Sequence, residues 1–151
     1  MAKNEKIVDT LKGVYVLIIQ VDKDTGVNVG ALGKLQFEKG TYAYVGSAQT
    51  NLEKRINRHL RKQKRKFWHV DYLLANDAAK MGKVFFKEAN KTEECKIAEA
   101  IGERGEPVAG FGCSDCKCKS HLLQLKNYGF LQVRHLLAEK HYFLRQVSKN
   151  R

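Results

Sequence analysis

Three cysteines and a histidine crowd into one short run, Cys113-x2-Cys116-x-Cys118-x2-His121. Thiolate and imidazole donors suit Zn²⁺ in tetrahedral geometry, and this run supplies four of them. The spacing is tighter than in paired zinc knuckles, and Cys116 and Cys118, one residue apart, are awkward disulfide partners. Three readings stay open at this point: a structural Zn²⁺, a substrate-contacting loop held by hydrogen bonds and buried thiols, and a redox-sensitive patch. The fourth cysteine, Cys95, falls in an apolar helical pattern and reads as packing. With so few cysteines and no hydrophobic leader after Met1-Ala2-Lys3-Asn4-Glu5-Lys6, the thiols are expected to be reduced and the protein cytoplasmic.

A second concentration of chemistry is cationic. The 151 residues carry 28 Lys and Arg against 16 Asp and Glu, a net +12. Residues 51–70 hold eight bases and one acid, so that one stretch contributes +7. The bases are Lys54, Arg55, Arg58, Arg61, Lys62, Lys64, Arg65 and Lys66. Charge this focused is the electrostatic footprint of a polyanion binder, and nucleic acid is the expected partner; a solvated basic helix face is the plainer alternative. Composition narrows the rest: 43% apolar residues fill one core, a single Pro and 12 Gly fit neither a disordered nor a collagen-like chain, and Val14–Ile19 is far too short to span a membrane.

The elements that must position these groups follow from periodicity. Six of the nine residues from Gly13 to Val21 are β-branched or aromatic, which predicts a buried strand. Asp22-Lys23-Asp24-Thr25-Gly26 is turn chemistry, and 34–38 and 41–46 alternate on either side of Lys39-Gly40, which predicts an antiparallel pair. Leu52, Ile56, His59 and Leu60 share one helix face, with Asn51 as N-cap. A second short helix is expected within 67–74, a strand at 82–87, and a helix opening at Thr92-Glu93-Glu94-Cys95, capped by Thr92 and ended by Gly105-Glu106-Pro107. The segment 130–139 has an amphipathic helical pattern. The predicted fold class is α/β, a small central, largely antiparallel sheet flanked by helices. A domain over 1–125 includes the Cys-rich loop, and 126–151 form a C-terminal helical extension.

Gly13-Val14-Tyr15 on the first strand and Tyr44-Val45-Gly46 on a later one, followed by Asn51-Leu52-Glu53-Lys54-Arg55, resemble the signature of the GIY-YIG nuclease superfamily. The wider run is similar to a small, mostly archaeal branch of it. Shared segments include Arg58-His59-Leu60, Trp68-His69-Val70-Asp71-Tyr72-Leu73, Glu94-Cys95 and the run from Gly112 to Leu122, and the resemblance covers residues 12–124. It implies a metal-dependent, structure-specific DNA endonuclease, in a repair setting because members of the branch can occur joined to DNA-glycosylase-type domains. Phosphodiester hydrolysis needs a group that deprotonates or orients water, charge for the extra negative oxygen, and help for the leaving alkoxide. By resemblance Glu94 binds one Mg²⁺ or Mn²⁺, Arg55 grips the scissile phosphate, and Tyr15 handles the water with Tyr44 close by. A tyrosine of pKa about 10 serves as a base near neutrality only if Arg55 or the metal lowers it; hydrogen-bonded positioning of the water is the milder option. His59, one turn after Arg55, is either a further catalytic or phosphate-binding group or a histidine packed at the edge of the core, and His69 is expected to tie the second helix to the sheet. The asparagine that many superfamily members carry after the glutamate helix is missing from Pro107-Val108-Ala109-Gly110-Phe111; Ser114 and Asp115 are the nearest substitutes. The rival reading is a non-catalytic nucleic-acid-binding module using the basic segment 54–66 and the Cys-rich loop. DNA is expected ahead of RNA as substrate.

Overall fold

The computed structural model describes residues 12–61, 64–112, 118–127 and 138–139. The strands are β1 Gly13–Val21, β2 Thr25–Asn28, β3 Lys34–Phe37, β4 Gly40–Ala48, β5 Ala79–Glu88, β6 Gly105–Pro107, β7 Leu122–Leu125 and β8 Ala138–Glu139. The helices are α1 Leu52–Leu60, α2 His69–Leu74 and α3 Glu93–Gly102. Five strands form the central sheet in the order β6-β7-β4-β1-β5, every neighbouring pair antiparallel, with β8 on the outer edge of β5. This is the α/β class that the periodicity predicts.

β1 lies between β4 and β5, and both of its faces are covered, which is why all of it but Gln20 reads as apolar. Successive side chains alternate between two cores. Tyr15, Leu17, Ile19 and Val21 join Tyr44, Leu52, Ile56, Val70 and Leu73 on the side of α1 and α2. Val14, Val16 and Ile18 join Ile97, Ala98 and Ile101 of α3 on the other. Burying each such side chain is worth roughly 1.5–3 kcal/mol. Asn51 caps α1 as expected, its side chain accepting from the Lys54 N–H at 2.9 Å. Among the described residues no helix is long and apolar enough to cross a membrane.

Four expectations are corrected. β3 does not pair with β4: residues 41–44 already give one edge to β1 and the other to β7, so β3 pairs with β2 in a separate two-stranded sheet. Thr92 is itself helical, at φ −60° and ψ −22°, and makes no side-chain cap; the Glu93 and Glu94 N–H groups donate to the Asn90 and Lys91 carbonyls, each at 3.0 Å. Gly105-Glu106-Pro107 is more than a stop signal, since it forms the outermost strand, where a missing proline N–H is tolerated. Ala138 and Glu139, placed by pattern at the end of a helix, are instead extended and pair with Phe86 and Phe85. Residues 128–137 and 140–151 of the expected helical extension lie outside the described residues.

Candidate functional site

Tyr15 and Gly46 face each other across β1 and β4. A Cβ on residue 46 would lie 2.6 Å from the Tyr15 Oη and 2.7 Å from its Cζ, and the ring is only 1% exposed, so it has nowhere to go. The glycine of Tyr44-Val45-Gly46 is therefore what lets the Tyr15 ring lie across β4. Gly13, which opens β1, is held to glycine for a similar reason: a Cβ there would stand 2.3 Å from the Lys87 carbonyl oxygen of β5.

The Tyr15 hydroxyl is 2.7 Å from His59 Nε2. Burial lowers the His59 pKa to about 3, which keeps the imidazole neutral. Its Nδ1 is buried with no hydrogen-bond partner, and a bare lone pair is better tolerated there than an orphaned N–H. The ring proton is accordingly on Nε2, which donates to the Tyr15 oxygen. Arg55 donates through Nη1 to the Ser47 carbonyl at 2.8 Å, and its charge acts on the Tyr15 hydroxyl. With the imidazole N–H on the phenol oxygen, the Tyr15 O–H is left to donate. Burial raises the Tyr15 pKa well above its ordinary value, and the Arg55 charge offsets only part of this. The downward shift that a tyrosine base would need from Arg55 is thus outweighed by desolvation. Burial raises Tyr44 as well, with the Tyr15 oxygen adding to the effect.

Glu94 lies in the first turn of α3, and its Oε2 accepts from His121 Nδ1 at 2.8 Å. Burial by itself would raise this carboxyl, but hydrogen bonds from His121 and Ser47 bring it below its ordinary value, so it is ionised at neutral pH. His121 Nδ1 is also 3.2 Å from the Val45 carbonyl. Both of these partners only accept, so Nδ1 carries a proton and Nε2 turns to Cys95 Sγ at 3.8 Å. Cys95, Cys118 and His121 place one donor atom each within 4.8 Å of one another, a group able to hold a metal ion. Cys113 and Cys116 lie outside the described residues. Cys95 is a donor that sequence reasoning assigned to packing: it is 23 residues from Cys118, and no ligand spacing links them until α3 folds against β7.

Arg58 grips the fully buried Asp71 with both arms, Nη1 to Oδ1 and Nη2 to Oδ2 at 3.0 Å each, and Nη2 also reaches the Arg65 carbonyl at 2.9 Å. Asp71 Oδ2 accepts from the Phe67 and Trp68 N–H groups at 2.8 and 2.9 Å, fixing the entry to α2. Arg58, expected to bind nucleic acid, is therefore spent largely on structure. The Arg55 and Arg58 guanidiniums stand 4.4 and 4.5 Å from the centre of the Trp68 ring, a cation–π arrangement that holds both arginines in place. His69 Nδ1 accepts from the Gly112 N–H at 2.8 Å, so it ties α2 to the loop ahead of the cysteines and not to the sheet.

Tyr15, Tyr44, Arg55 and Glu94 line one cavity of about 430 Å³, together with Ser47, Trp68, His69 and Lys91. His59 is 1% exposed and sits behind Tyr15 without reaching the cavity wall. Arg58, Arg61, Lys64, Arg65 and Lys66 line a second cavity of about 780 Å³. Phe67 borders both. Lys64 also donates to the His59 and Arg61 carbonyls at the end of α1. Lys54 is exposed and lines neither cavity, and Lys62 lies outside the described residues.

No curated protein and no solved structure matches the chain. A family model described as a domain of unknown function, DUF123, matches residues 14–142.

Proposed function

The chain belongs to the DUF123 family, and from the geometry of its site we propose that it is a metal-dependent, structure-specific endonuclease that hydrolyses DNA phosphodiesters. The observation that carries this reading is that Tyr15, Tyr44, Arg55 and Glu94, from four different elements, line a single cavity beside a basic one. Arg55, anchored by Ser47 and Trp68, presents its remaining N–H groups to the scissile phosphate. Tyr15, protonated and held by His59, donates its O–H to orient the attacking water, whose proton passes to a phosphate oxygen or to solvent in the cavity; His59 acts as a positioning residue. Glu94 is an ionised hard oxygen donor, and a single carboxylate completed by water and phosphate oxygens is what Mg²⁺ accepts, so the residues present fit Mg²⁺ or Mn²⁺. When bound, the ion supplies positive charge to the phosphate and the leaving alkoxide. The test is a panel of labelled flapped, nicked, branched and duplex DNA, with RNA counterparts, in Mg²⁺ or Mn²⁺ at low salt. Cleavage of at least one branched form is expected; a parent chain that binds the panel and cuts none of it sinks the assignment.

The basic cavity favours a second reading, a binding module without catalysis, and either reading requires salt-dependent affinity. With about four phosphates contacted, log affinity falls with log salt at a slope near −3.6 on B-DNA. Replacing Arg61, Arg65 and Lys66 by Ala should flatten that slope by about 0.9 per cation removed. Arg58→Ala should instead act mainly on stability, because its guanidinium belongs to Asp71. Affinity that is independent of salt would take the basic cavity out of both readings.

The Cys95, Cys118 and His121 group is proposed to hold Zn²⁺, the soft-donor ion that two thiolates and an imidazole select. In that arrangement the proton on His121 Nδ1 makes Glu94 the carboxylate behind a metal-binding histidine, a support that typically changes metal affinity about 10–100-fold. Elemental analysis of protein purified without chelator should find about one zinc per chain. Cys95→Ser should surrender the metal to a chelator that leaves the parent loaded. Zinc-free parent protein, or a Cys95→Ser chain that keeps zinc equally well, would count against this assignment.

A further inference from the structure

Phe67 is the one large hydrophobic side chain exposed among the described residues, at 79%. Incidental surface phenylalanines are common, but this one is backed and fixed. Its ring stacks on Trp68 with centroids 5.5 Å apart and planes 24° apart, and its N–H is held by the buried Asp71 carboxylate. Trp68 is in turn braced by Arg55 and Arg58 and lies 5.8 Å from the His59 ring. An aromatic face supported this way meets a flat partner with little further loss of conformational freedom. It also stands at the border between the cavity of the candidate catalytic residues and the cavity lined by Arg61, Lys64, Arg65 and Lys66.

We propose that Phe67 is a stacking platform for an unpaired nucleobase next to the phosphate held at Arg55, so that the site selects strands leaving a duplex. The inference rests on the nucleic-acid part of the reading above and not on cleavage. Inside a duplex every base face is covered by its neighbours, so a ring at the groove border has nothing to stack on. At a flap, a branch or a single-stranded arm the first bases outside the duplex expose their faces, and an aromatic side chain takes them with little regard to sequence. The backbone cations on one side and the phosphate-gripping Arg55 on the other fix where that base must lie.

Binding without added divalent ion tests this apart from catalysis. The probes are a labelled duplex with a single-stranded arm, a blunt duplex of the same sequence, and arms with an abasic nucleotide at the first, second or third unpaired position; RNA arms run in parallel. Phe67→Ala should weaken binding to the arm about 5- to 150-fold and binding to the blunt duplex less than about twofold. Phe67→Tyr and Phe67→Trp should retain affinity, whereas Phe67→Leu, apolar but without a π face, should behave like the alanine variant. At one abasic position the difference between parent and Phe67→Ala should vanish, a coupling that a merely structural role for the ring does not produce. Equal losses on arm and duplex, full affinity in Phe67→Leu, or abasic and Phe67→Ala effects that simply add would overturn the stacking role while leaving the nuclease reading standing. A parent chain that binds neither probe at low salt would overturn both.

Discussion

Glu94→Ala should lower the rate of DNA cleavage by about 10³-fold or more while affinity at low salt stays within about twofold of the parent. The two effects separate because the carboxylate faces the cavity of Tyr15 and Arg55, whereas Arg61, Arg65 and Lys66 line the neighbouring one. Glu94 also accepts from His121, so Glu94→Gln is the necessary companion: it keeps an acceptor for Nδ1 while removing the charge, and it should be nearly as slow. Tyr15→Phe deletes only the oxygen that His59 holds and should cost about 10²-fold in rate. Arg55→Lys retains charge but loses the fork that can reach Ser47 and phosphate together, and should likewise act on rate more than on affinity. Single-turnover rates and affinities measured on the same branched substrate decide the matter. Glu94→Ala cutting as fast as the parent would leave the binding module as the reading that survives.

The largest effect on stability should come from Asp71→Ala. Asp71 is fully buried, takes both arms of Arg58 and satisfies the Phe67 and Trp68 N–H groups, so its loss strands a guanidinium and two backbone donors at once. Breaking a buried pair from one side is worth about 3–5 kcal/mol, or roughly 6–20 °C in the melting temperature of a domain this size. Burial alone would raise the Asp71 carboxyl, but Arg58 and the two N–H groups bring it below its ordinary value of 3.8. A carboxyl lower in the folded chain stabilises fully above its unfolded pKa and loses that contribution as pH falls through the folded one. The parent should therefore lose this stability only below about pH 3.8. Asp71→Ala should be weaker at neutral pH and relatively flatter in acid. Denaturant unfolding from pH 7 to pH 3 measures both; a loss below about 1 kcal/mol at pH 7 would mean the pair contributes no more than a surface contact.

The sequence determined the local elements and the order of the chemistry along them. β1 was legible because six of its nine residues are β-branched or aromatic and turn residues follow it, and α1 because its apolar spacing and Asn51 agree. The fold class followed from these patterns, and the basic segment is a property of composition. Strand partnership was not legible: whether β4 pairs with β3 or with β1 depends on which edges β7 and β1 occupy, and alternation along one strand carries no information about its neighbours. Nor could Thr92 be told from a working cap, because a cap depends on backbone angles as well as residue type. At the site, residue types suggested candidates but not their electrical state. Only packing decides that Tyr15 is desolvated beyond the reach of the Arg55 charge, that Arg58 pairs with Asp71, and that Cys95 meets Cys118 and His121. Each of these is a distance between residues far apart in the chain, and burial and Coulomb energy depend on such distances, whereas periodicity records only the near ones.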